Sequence, residues 1–353
     1  MKWLFKYGLM ALLLVSTTRA PAGDPTDGML GGIFYQPWRE DLSLTEPQWE
    51  KRMLRLRRDG LDTLYLQWLQ YGEANFLNAP LKTGEPFVKV LLDTASNQGI
   101  GIYMGLFSDP EFFKCFTLPP RELETYLLGL REKNLRIARQ FQARYGKHPA
   151  FSGWYLCEEI DDLHWQSASR RKILNTHIRR QRESLRALNR DKRVAFSTFF
   201  SGALSSEAYA LFCRQLLEGS DHLVMVQGGL GSGRADMATT RRYHEALNRA
   251  AGKHGRLLWI VELFNDELPG PGFRGKAITH GQLNQRLAIL NRNFRGKRLV
   301  AFSLRYWLDE KARLSRHYRS GFHKPGPEPL PEVPRDLSPN PQKAFPTPPP
   351  RSP

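Results

Sequence analysis

The sequence predicts an α/β protein built around a single (β/α)8 barrel, also called a TIM barrel. The first observation is an alternation, repeated eight times, of short apolar runs with longer amphipathic runs rich in charge. The second is the length of 353 residues, which suits one such barrel with a leader and a tail. The third is a hydrophobic content of 41 %, enough to fill one large core.

The apolar runs predict the barrel strands, and the amphipathic runs predict the helices around them. The predicted strands are 32–38, 63–71, 101–108, 153–159, 194–200, 223–227, 257–264 and 299–307. The predicted helices include 46–58, 121–145, 168–189, 207–217, 241–252 and 282–294. We therefore place the barrel domain at residues 28–323.

Both ends of the chain differ in composition from the barrel. Lys2 and Lys6 precede an apolar run at 7–15 and then a stretch of small residues, which is the order found in signal peptides. We predict a signal peptide over residues 1–22, cleaved after Ala20 or Ala22, and export to the periplasm or the outside of a bacterial cell. The apolar run is too short for a membrane span in the mature protein. Residues 324–353 are dominated by proline and predict a disordered, extended tail.

The chain is strongly basic, with 52 Lys and Arg against 35 Asp and Glu, a net charge of +17. Such a surface attracts nucleic acid, anionic lipid headgroups or an acidic polysaccharide. Export argues against nucleic acid. The expected partners are a polysaccharide, including an acidic one, and the envelope or exopolysaccharide machinery, and the basic surface fits an anionic membrane surface equally. The most basic segment, 170–193, has a simpler alternative as a solvated helix face.

Several other chemistries lack their sequence signals. The chain has three cysteines, a small and odd number that does not form a disulfide framework, and free thiols are expected. The nine histidines show none of the close spacings of a metal site, so we predict no metal and no cofactor. The glycine-rich stretch 228–233 has no phosphate-loop lysine and instead predicts a flexible loop at the active site.

Side chains alternate between the two faces of a strand, so the apolar set on a strand indicates which residues face the barrel axis. In the second strand Leu64 and Leu66 should face the helices, which turns Tyr65 and Gln67 inward. Polar and aromatic residues near the ends of the strands are candidates for binding substrate, because this fold places its active site there. From the first seven strands they are Gln36, Trp38, Gln67, Trp68, Tyr103, Asp109, Tyr155, Gln227 and Phe264.

The eighth predicted strand adds two more candidates for binding substrate. Val300, Phe302 and Leu304 form an apolar set that should face the helices. Arg305 and Trp307 should then face the axis, and Trp307 is the best candidate for a sugar-stacking platform. The alternative for each aromatic residue is an ordinary place in the core.

Two glutamates stand in positions that suit catalysis. Glu159 ends the fourth strand and Glu262 lies within the apolar seventh strand, where a carboxylate is costly without a partner. Glycoside hydrolysis needs two carboxyl groups that flank the scissile bond, and these strands lie on opposite sides of the barrel. We predict Glu159 as acid/base, with a raised pKa, and Glu262 as nucleophile. The alternative for Glu262 is a structural salt bridge with Arg305.

Several segments together resemble a bacterial glycoside-hydrolase-like barrel family known as domain of unknown function 4434. The landmarks are the runs 32–38, 66–68, 153–161 and 226–228, together with Trp49. The resemblance spans residues 30–310 and implies a TIM barrel related to retaining glycosidases, with acids after strands four and seven. The chain departs from the expected pattern at Gly228, where Asp is expected, and at Glu158, where the large retaining clan has Asn.

We expect an exported glycosidase that cuts an exopolysaccharide or a cell-envelope glycan. One alternative is a catalytically silent protein that binds or assembles polysaccharide on the same barrel. A further alternative is a periplasmic scaffold whose proline-rich tail contacts a partner.

Overall fold

A closed barrel of eight parallel strands forms the centre of the computed structural model, which confirms the predicted (β/α)8 architecture. The structure describes residues 30–251, 255–268, 273–293, 299–312, 314, 315 and 318. The predicted signal peptide and proline-rich tail lie outside the described residues. The barrel strands are β1 Leu30–Tyr35, β2 Thr63–Leu66, β3 Gly101–Gly105, β4 Phe151–Asp161, β5 Arg193–Phe199, β6 Leu223–Gln227, β7 Leu257–Glu262 and β8 Leu299–Phe302.

Each strand pairs with its neighbours in the chain, and β8 pairs with β1 to close the barrel. Helices surround the strands, and six of them lie where the sequence predicts helices. The helices are α1 Glu46–Arg58, α2 Phe87–Asn97, α3 Pro120–Tyr145, α4 Ala168–Leu188, α5 Ser206–Leu217, α6 Met237–Ala251, α7 His280–Asn293 and α8 Leu304–Trp307. Two 3-10 helices, Arg39–Ser43 and Phe112–Thr117, follow β1 and β3.

Helix α1 shows how local sequence sets these boundaries. Thr45 precedes the first turn, and its backbone N–H donates to the Gln48 side chain at 2.8 Å, which satisfies a group that the helix leaves unpaired. Trp49, Met53 and Leu56 recur at helical spacing and are all buried against the barrel.

Aromatic side chains fill the barrel interior. The Phe34 ring lies 5.4 Å from Tyr65, 5.3 Å from Tyr155 and 5.4 Å from Phe302, measured between ring centroids. Gly153 makes room for Tyr103, because a Cβ there would lie 2.4 Å from that ring. The inward orientations predicted for Tyr65, Tyr103 and Tyr155 are therefore confirmed.

The predicted orientation of strand eight is wrong. Val300 and Phe302 pack inside the barrel with Phe34, whereas Ala301 packs in the layer of the helices. The strand ends at Phe302, and Leu304–Trp307 is the short helix α8. Both faces of a parallel barrel strand are covered, so its apolar residues do not reveal which face is inward.

Two small sheets lie beyond the carboxyl ends of the barrel strands. A three-stranded sheet joins Gln70–Tyr71, Ala74–Asn75 and Phe107–Ser108, residues that the sequence partly assigned to strands two and three. A hairpin joins Phe264–Asp266 to Gly275–Ala277 after β7. These sheets build the rim at the end where this fold holds its active sites.

Other features of the described chain bear on the sequence predictions. The three cysteines are free, as expected. The basic segment forms α4, where Arg182 and Arg186 contact Asp221 at 2.7 and 2.8 Å. Within the described residues no helix combines the length and the apolar character of a membrane span.

Candidate active site

Alternation of side chains along β4 places the adjacent glutamates on opposite faces. Glu158 turns toward the helices, where its carboxylate meets the His177 ring at 2.9 Å. Glu159 shares the inward face of Tyr155 and pairs with Ser197, two residues before the strand ends. Two residues of β4 bulge out between Leu156 and Glu159, and a bulge of two residues leaves this alternation unchanged.

Helices α3 and α4 hold the buried carboxylate of Glu158. Besides His177 on α4, the side-chain amide of Asn134 on α3 donates to the same oxygen at 3.3 Å. The side-chain carbonyl oxygen of Asn134 accepts a hydrogen bond from the backbone N–H of Phe107 at 2.9 Å. Asn134 therefore ties the bulge of β4 to the chain that leaves β3.

Burial sets the protonation of Glu159. The pKa of its carboxyl group is raised from 4.5 to about 7: removal from water is the main cause, the charge of Arg234 opposes the rise, and the charge of Asp161 adds to it. Among the described residues no side chain or backbone N–H donates to this carboxyl group. A group of this kind holds its proton near neutral pH and can donate it to a leaving oxygen.

Glu262 has a different environment. The amide nitrogen of Gln227 donates to one carboxylate oxygen at 2.7 Å, and the backbone N–H of Gly231 donates to the other at 2.8 Å. The residue is only 2 % exposed. Each oxygen of the Glu262 side chain therefore accepts one hydrogen bond.

The predicted salt bridge between Glu262 and Arg305 is absent from the part of the chain that the structure describes. Arg305 lies on α8 with its side chain exposed, and its guanidinium sits 6.0 Å from the centre of the Trp38 ring. The difference follows from the end of β8 at Phe302, because Arg305 is no longer on a strand next to Glu262.

The glycine-rich stretch 228–233 lies at the site, where the sequence placed it. A Cβ on Gly231 would lie 2.7 Å from the Phe264 carbonyl oxygen and 3.0 Å from the Glu262 Cβ, so only glycine fits. The Gly231 carbonyl accepts from the Asp266 backbone N–H at 2.7 Å. These contacts fasten the loop across the end of β7.

Arg286 of α7 supports the same strand end from behind. Its guanidinium donates to the backbone carbonyl of Glu262, to that of Phe264 at 3.0 Å, and to the Asn265 side chain at 2.5 Å. Arg286 is 7 % exposed, so these hydrogen bonds take the place of those that its guanidinium would form with water. It holds the backbone that carries Glu262.

Arg234 is a candidate functional residue that the sequence analysis missed. It follows the glycine-rich loop, and its charge interacts with those of Glu159, Asp161 and Glu262. Its guanidinium lies 5.3 Å from the centre of the Phe199 ring. A residue in a loop follows no periodic pattern, so no signal in the sequence pointed to it.

Several predicted binding residues gather on the Glu159 side. The Trp38 and Trp68 rings meet edge to face at 6.5 Å, and the Tyr71 ring lies 4.9 Å from Trp68. Burial raises the pKa of Tyr71, and the nearby charges of Asp109 and Glu159 raise it as well. The Tyr126 hydroxyl donates to Asp109 at 2.8 Å and fixes its carboxylate.

Gln36, Gln67, Gln227 and Phe264 also lie at strand ends. Gln36 and Gln67 follow β1 and β2 and are half-buried, and Gln227 ends β6 in contact with Glu262. Phe264 is buried after β7, with its ring 5.5 Å from Tyr306. These positions fit the predicted location at the carboxyl ends of the strands.

Three predicted residues lie elsewhere. Tyr103 stacks on Tyr65 at 5.0 Å beside Gly153, toward the amino end of the barrel. Tyr155 is a core residue whose hydroxyl contacts Ser197 at 2.8 Å. The prediction that Trp307 faces the axis is wrong: its indole N–H donates to Asp59 at 2.9 Å, and the residue is fully buried.

The two aspartates that follow Glu159 have structural contacts. Asp161 accepts the backbone N–H groups of Leu163 at 3.1 Å and His164 at 2.7 Å. Asp162 accepts the Ser201 backbone N–H at 2.6 Å and also binds its hydroxyl. Both carboxylates hold loops in place, which leaves Glu159 as the acid of β4 that is without such a contact.

Comparison with known proteins identifies the family. A family model described as "Domain of unknown function (DUF4434)" matches residues 30–311. The uncharacterized protein YbcH of Escherichia coli (strain K12) is 33 % identical over 307 residues, which are 86 % of this chain and 96 % of YbcH.

Solved structures resemble the barrel at low identity. A candidate alpha-L-fucosidase from Bacteroides thetaiotaomicron VPI-5482 gives a TM-score of 0.66 at 17 % identity, over 90 % of this chain and 99 % of that chain. A GH18 chitinase from Pseudoalteromonas aurantia gives 0.51 at 8 % identity, over 82 % and 99 % of the two chains. At these identities the likeness concerns the fold alone.

Proposed function

This chain belongs to the DUF4434 family, and from that premise we propose that it is an exported glycoside hydrolase that acts on an exopolysaccharide or a cell-envelope glycan. One observation carries the proposal. Glu159, two residues before the end of β4, and Glu262, at the end of β7, lie on different sides of the barrel mouth, and the charge of Arg234 interacts with both. Two carboxyl groups that share one mouth, one protonated and one supplied with donors, are what glycoside hydrolysis requires.

In the proposed mechanism Glu159 donates its proton to the glycosidic oxygen while the Glu262 carboxylate attacks the anomeric carbon. The bond from that carbon to the leaving oxygen breaks, and a covalent glycosyl-enzyme forms. Glu159, now ionised, then takes a proton from water, whose oxygen displaces Glu262. The enzyme returns to its starting state with a retained anomer as product.

The direct test is release of reducing ends from a panel of bacterial exopolysaccharides and envelope glycans. Wild-type protein should release reducing ends, and Glu262→Gln should not. Glu183→Gln, an exposed glutamate of α4, is the matched control and should retain activity. No release by the wild type from any glycan of the panel would contradict the proposal.

The stereochemical part of the proposal has its own test. Proton NMR of the first product should show the anomeric configuration of the substrate. An inverted product would instead assign Glu262 as a base that activates water.

The burial of Glu262 favours a second candidate, a protein that binds polysaccharide without cutting it. Both oxygens of this carboxylate already accept hydrogen bonds, and the residue is 2 % exposed. Attack on a sugar requires the Gly231 loop to give access to it. Glycan binding that survives in the Glu159→Gln, Glu262→Gln double variant, without reducing ends from the wild type, would support this candidate.

A further inference from the structure

The three-stranded sheet beyond the barrel has two faces of different character. In its register Tyr71 pairs with Ala74 and Ser108, and this face carries Tyr71 toward Glu159. Gln70 pairs with Asn75 and Phe107, and paired residues share a face, so these three point to the other side. The sheet therefore separates the candidate active site from a second surface.

A groove of about 350 Å³ lies on that second surface, between the sheet and helix α3. This volume falls within the range of ordinary ligand sites, about 300–1,000 Å³. Its lining is mainly amides and cations, namely Gln70, Asn75, Asn78, Lys133, Arg136 and Gln140. The last three recur at helical spacing, so α3 presents one polar stripe to the groove.

The amides of the sheet side offer donors. The Asn75 side-chain oxygen accepts the Asn78 backbone N–H at 3.1 Å, and the Asn78 side-chain oxygen accepts from Arg144 at 2.7 Å. With these oxygens in use, the two NH₂ groups remain, and within the described residues no acceptor contacts them. A ligand rich in oxygen atoms could accept hydrogen bonds from these two NH₂ groups.

The helix side adds positive charge. Lys133 lies 4.6 Å from the centre of the Phe107 ring, and Arg136 is exposed. Among the residues that the structure describes, neither cation forms an ion pair. Glu73 is the one carboxylate in the lining. The groove therefore has more positive than negative charge. Its lining also holds hydrogen-bond donors, the NH₂ groups of Asn75 and Asn78, that contact no acceptor among the described residues.

We propose that this groove is a second glycan-binding site, separate from the Glu159 and Glu262 site, which takes a carboxylate-bearing sugar such as a uronic acid unit. Lys133 and Arg136 bind the carboxylate, and the amides of Asn75, Asn78 and Gln140 bind the hydroxyls. The choice of a glycan rests on the proposed function, whereas the anionic character rests on the lining itself.

Binding is measured in the Glu159→Gln, Glu262→Gln background, so that it does not depend on cleavage. The probes are trisaccharides of galacturonic, glucuronic and mannuronic acid and their carboxyl-reduced, neutral counterparts, titrated by calorimetry. We expect one of the acidic probes to bind, and its affinity to fall about 5- to 30-fold in Lys133→Ala, Arg136→Ala. The matched control is Arg121→Ala, Arg139→Ala, which removes the same charge from exposed positions of α3 outside the groove.

Several outcomes would overturn the inference. They are binding of none of the acidic probes, equal binding of the neutral probes, an equal loss in both double variants, and no loss in the groove variant. Retained affinity in Lys133→Arg, Arg136→Lys would support a role of charge at these positions. If no glycan is cleaved by the wild type but the groove variant alone loses binding, the proposed hydrolysis fails while the second site stands.

Discussion

The two carboxyl groups at the barrel mouth differ in what surrounds them. Glu262 accepts hydrogen bonds from Gln227 and Gly231 at both oxygens, and Arg286 holds its backbone. Glu159 has no such donor among the described residues, and burial raises its pKa to about 7. In the mechanism that we propose, these surroundings suit the two glutamates to opposite tasks, Glu262 as nucleophile and Glu159 as proton donor.

This difference shows that the surroundings of a glutamate, and not the side chain itself, set its hydrogen bonding. The end of β7, which closes with a glycine-rich loop, supplies backbone and amide donors to Glu262. The described residues around Glu159, near the end of β4, supply no such donor. Each of the following changes tests one part of this contrast.

The largest effect is expected from removing the proposed proton donor. On a natural glycan, Glu159→Gln should lower kcat by about 10²–10⁴-fold, since general acid catalysis is lost. On an aryl glycoside with a dinitrophenolate leaving group, this variant should recover most of its rate for the first step. Glu262→Gln should stay inactive on both substrates because its amide is no nucleophile. Equal recovery in both variants, measured by phenolate release, would remove the assigned roles.

The pH profile of kcat/KM tests the part played by Arg234. Glu159 must be protonated to act, so activity should decline as the pH rises through about 7. Arg234 lowers the pKa of Glu159, so Arg234→Met should raise that pKa and move the alkaline limb to higher pH. Arg241→Met, an exposed change on α6, should leave the limb in place. A limb that moves to lower pH in Arg234→Met would contradict this assignment.

A stability effect follows from the same carboxyl group. Below pH 4.5 it is protonated in both the folded and the unfolded chain, and it contributes no pH dependence. Between 4.5 and about 7 the unfolded chain ionises first, so the folded state loses stability as the pH rises. Glu159→Gln should therefore raise the free energy of unfolding by about 1–3 kcal/mol at pH 8 and leave it unchanged at pH 4.

Urea unfolding at both pH values measures this difference. Glu183→Gln is again the matched control, since that side chain is exposed on α4. A gain for Glu159→Gln that is the same at pH 4 and pH 8 would show that the ionisation of Glu159 is not its source.

An effect of similar size on stability concerns a residue that the sequence placed at the mouth. Trp307→Phe removes the donor to the buried Asp59 carboxylate and should lower the free energy of unfolding by about 1–3 kcal/mol. Its affinity for a glycan should not change, whereas Trp38→Ala should weaken binding. A loss of glycan affinity in Trp307→Phe at unchanged stability would restore the predicted platform.

The barrel could be predicted from the sequence because strand and helix periods differ and repeat eight times. The two glutamates were singled out for a similar reason, since a carboxylate at the end of an apolar run stands out, and their catalytic roles stay a prediction. Strand eight failed because Val300 and Phe302 fill the interior while Ala301 packs outward, and all three are apolar. Helix α2 was not predicted, because a short apolar run reads equally well as a strand.

The remaining parts of the site depend on tertiary contacts. Arg234 and Gly231 lie in a loop, and their relation to Glu262 exists only after β6 and β7 are side by side. The predicted pairing of Arg305 with Glu262 assumed a strand that had already ended. Apolar residues continue from β8 into α8. A pattern along the chain therefore cannot locate the point at which the strand ends and the helix begins.

The pair of adjacent glutamates on β4 has a consequence for comparing this protein with its relatives. Glu158 and Glu159 are neighbours in sequence, yet one contacts His177 and the other lies on the axis side. Deleting Cys157 would reverse the parity of the strand after Leu156 and exchange the faces of the two glutamates. A sequence alignment that sets its gap one column off would exchange them in the same way. The glutamate that we propose as proton donor must therefore be located in a relative by strand register, since the letters alone cannot distinguish the two.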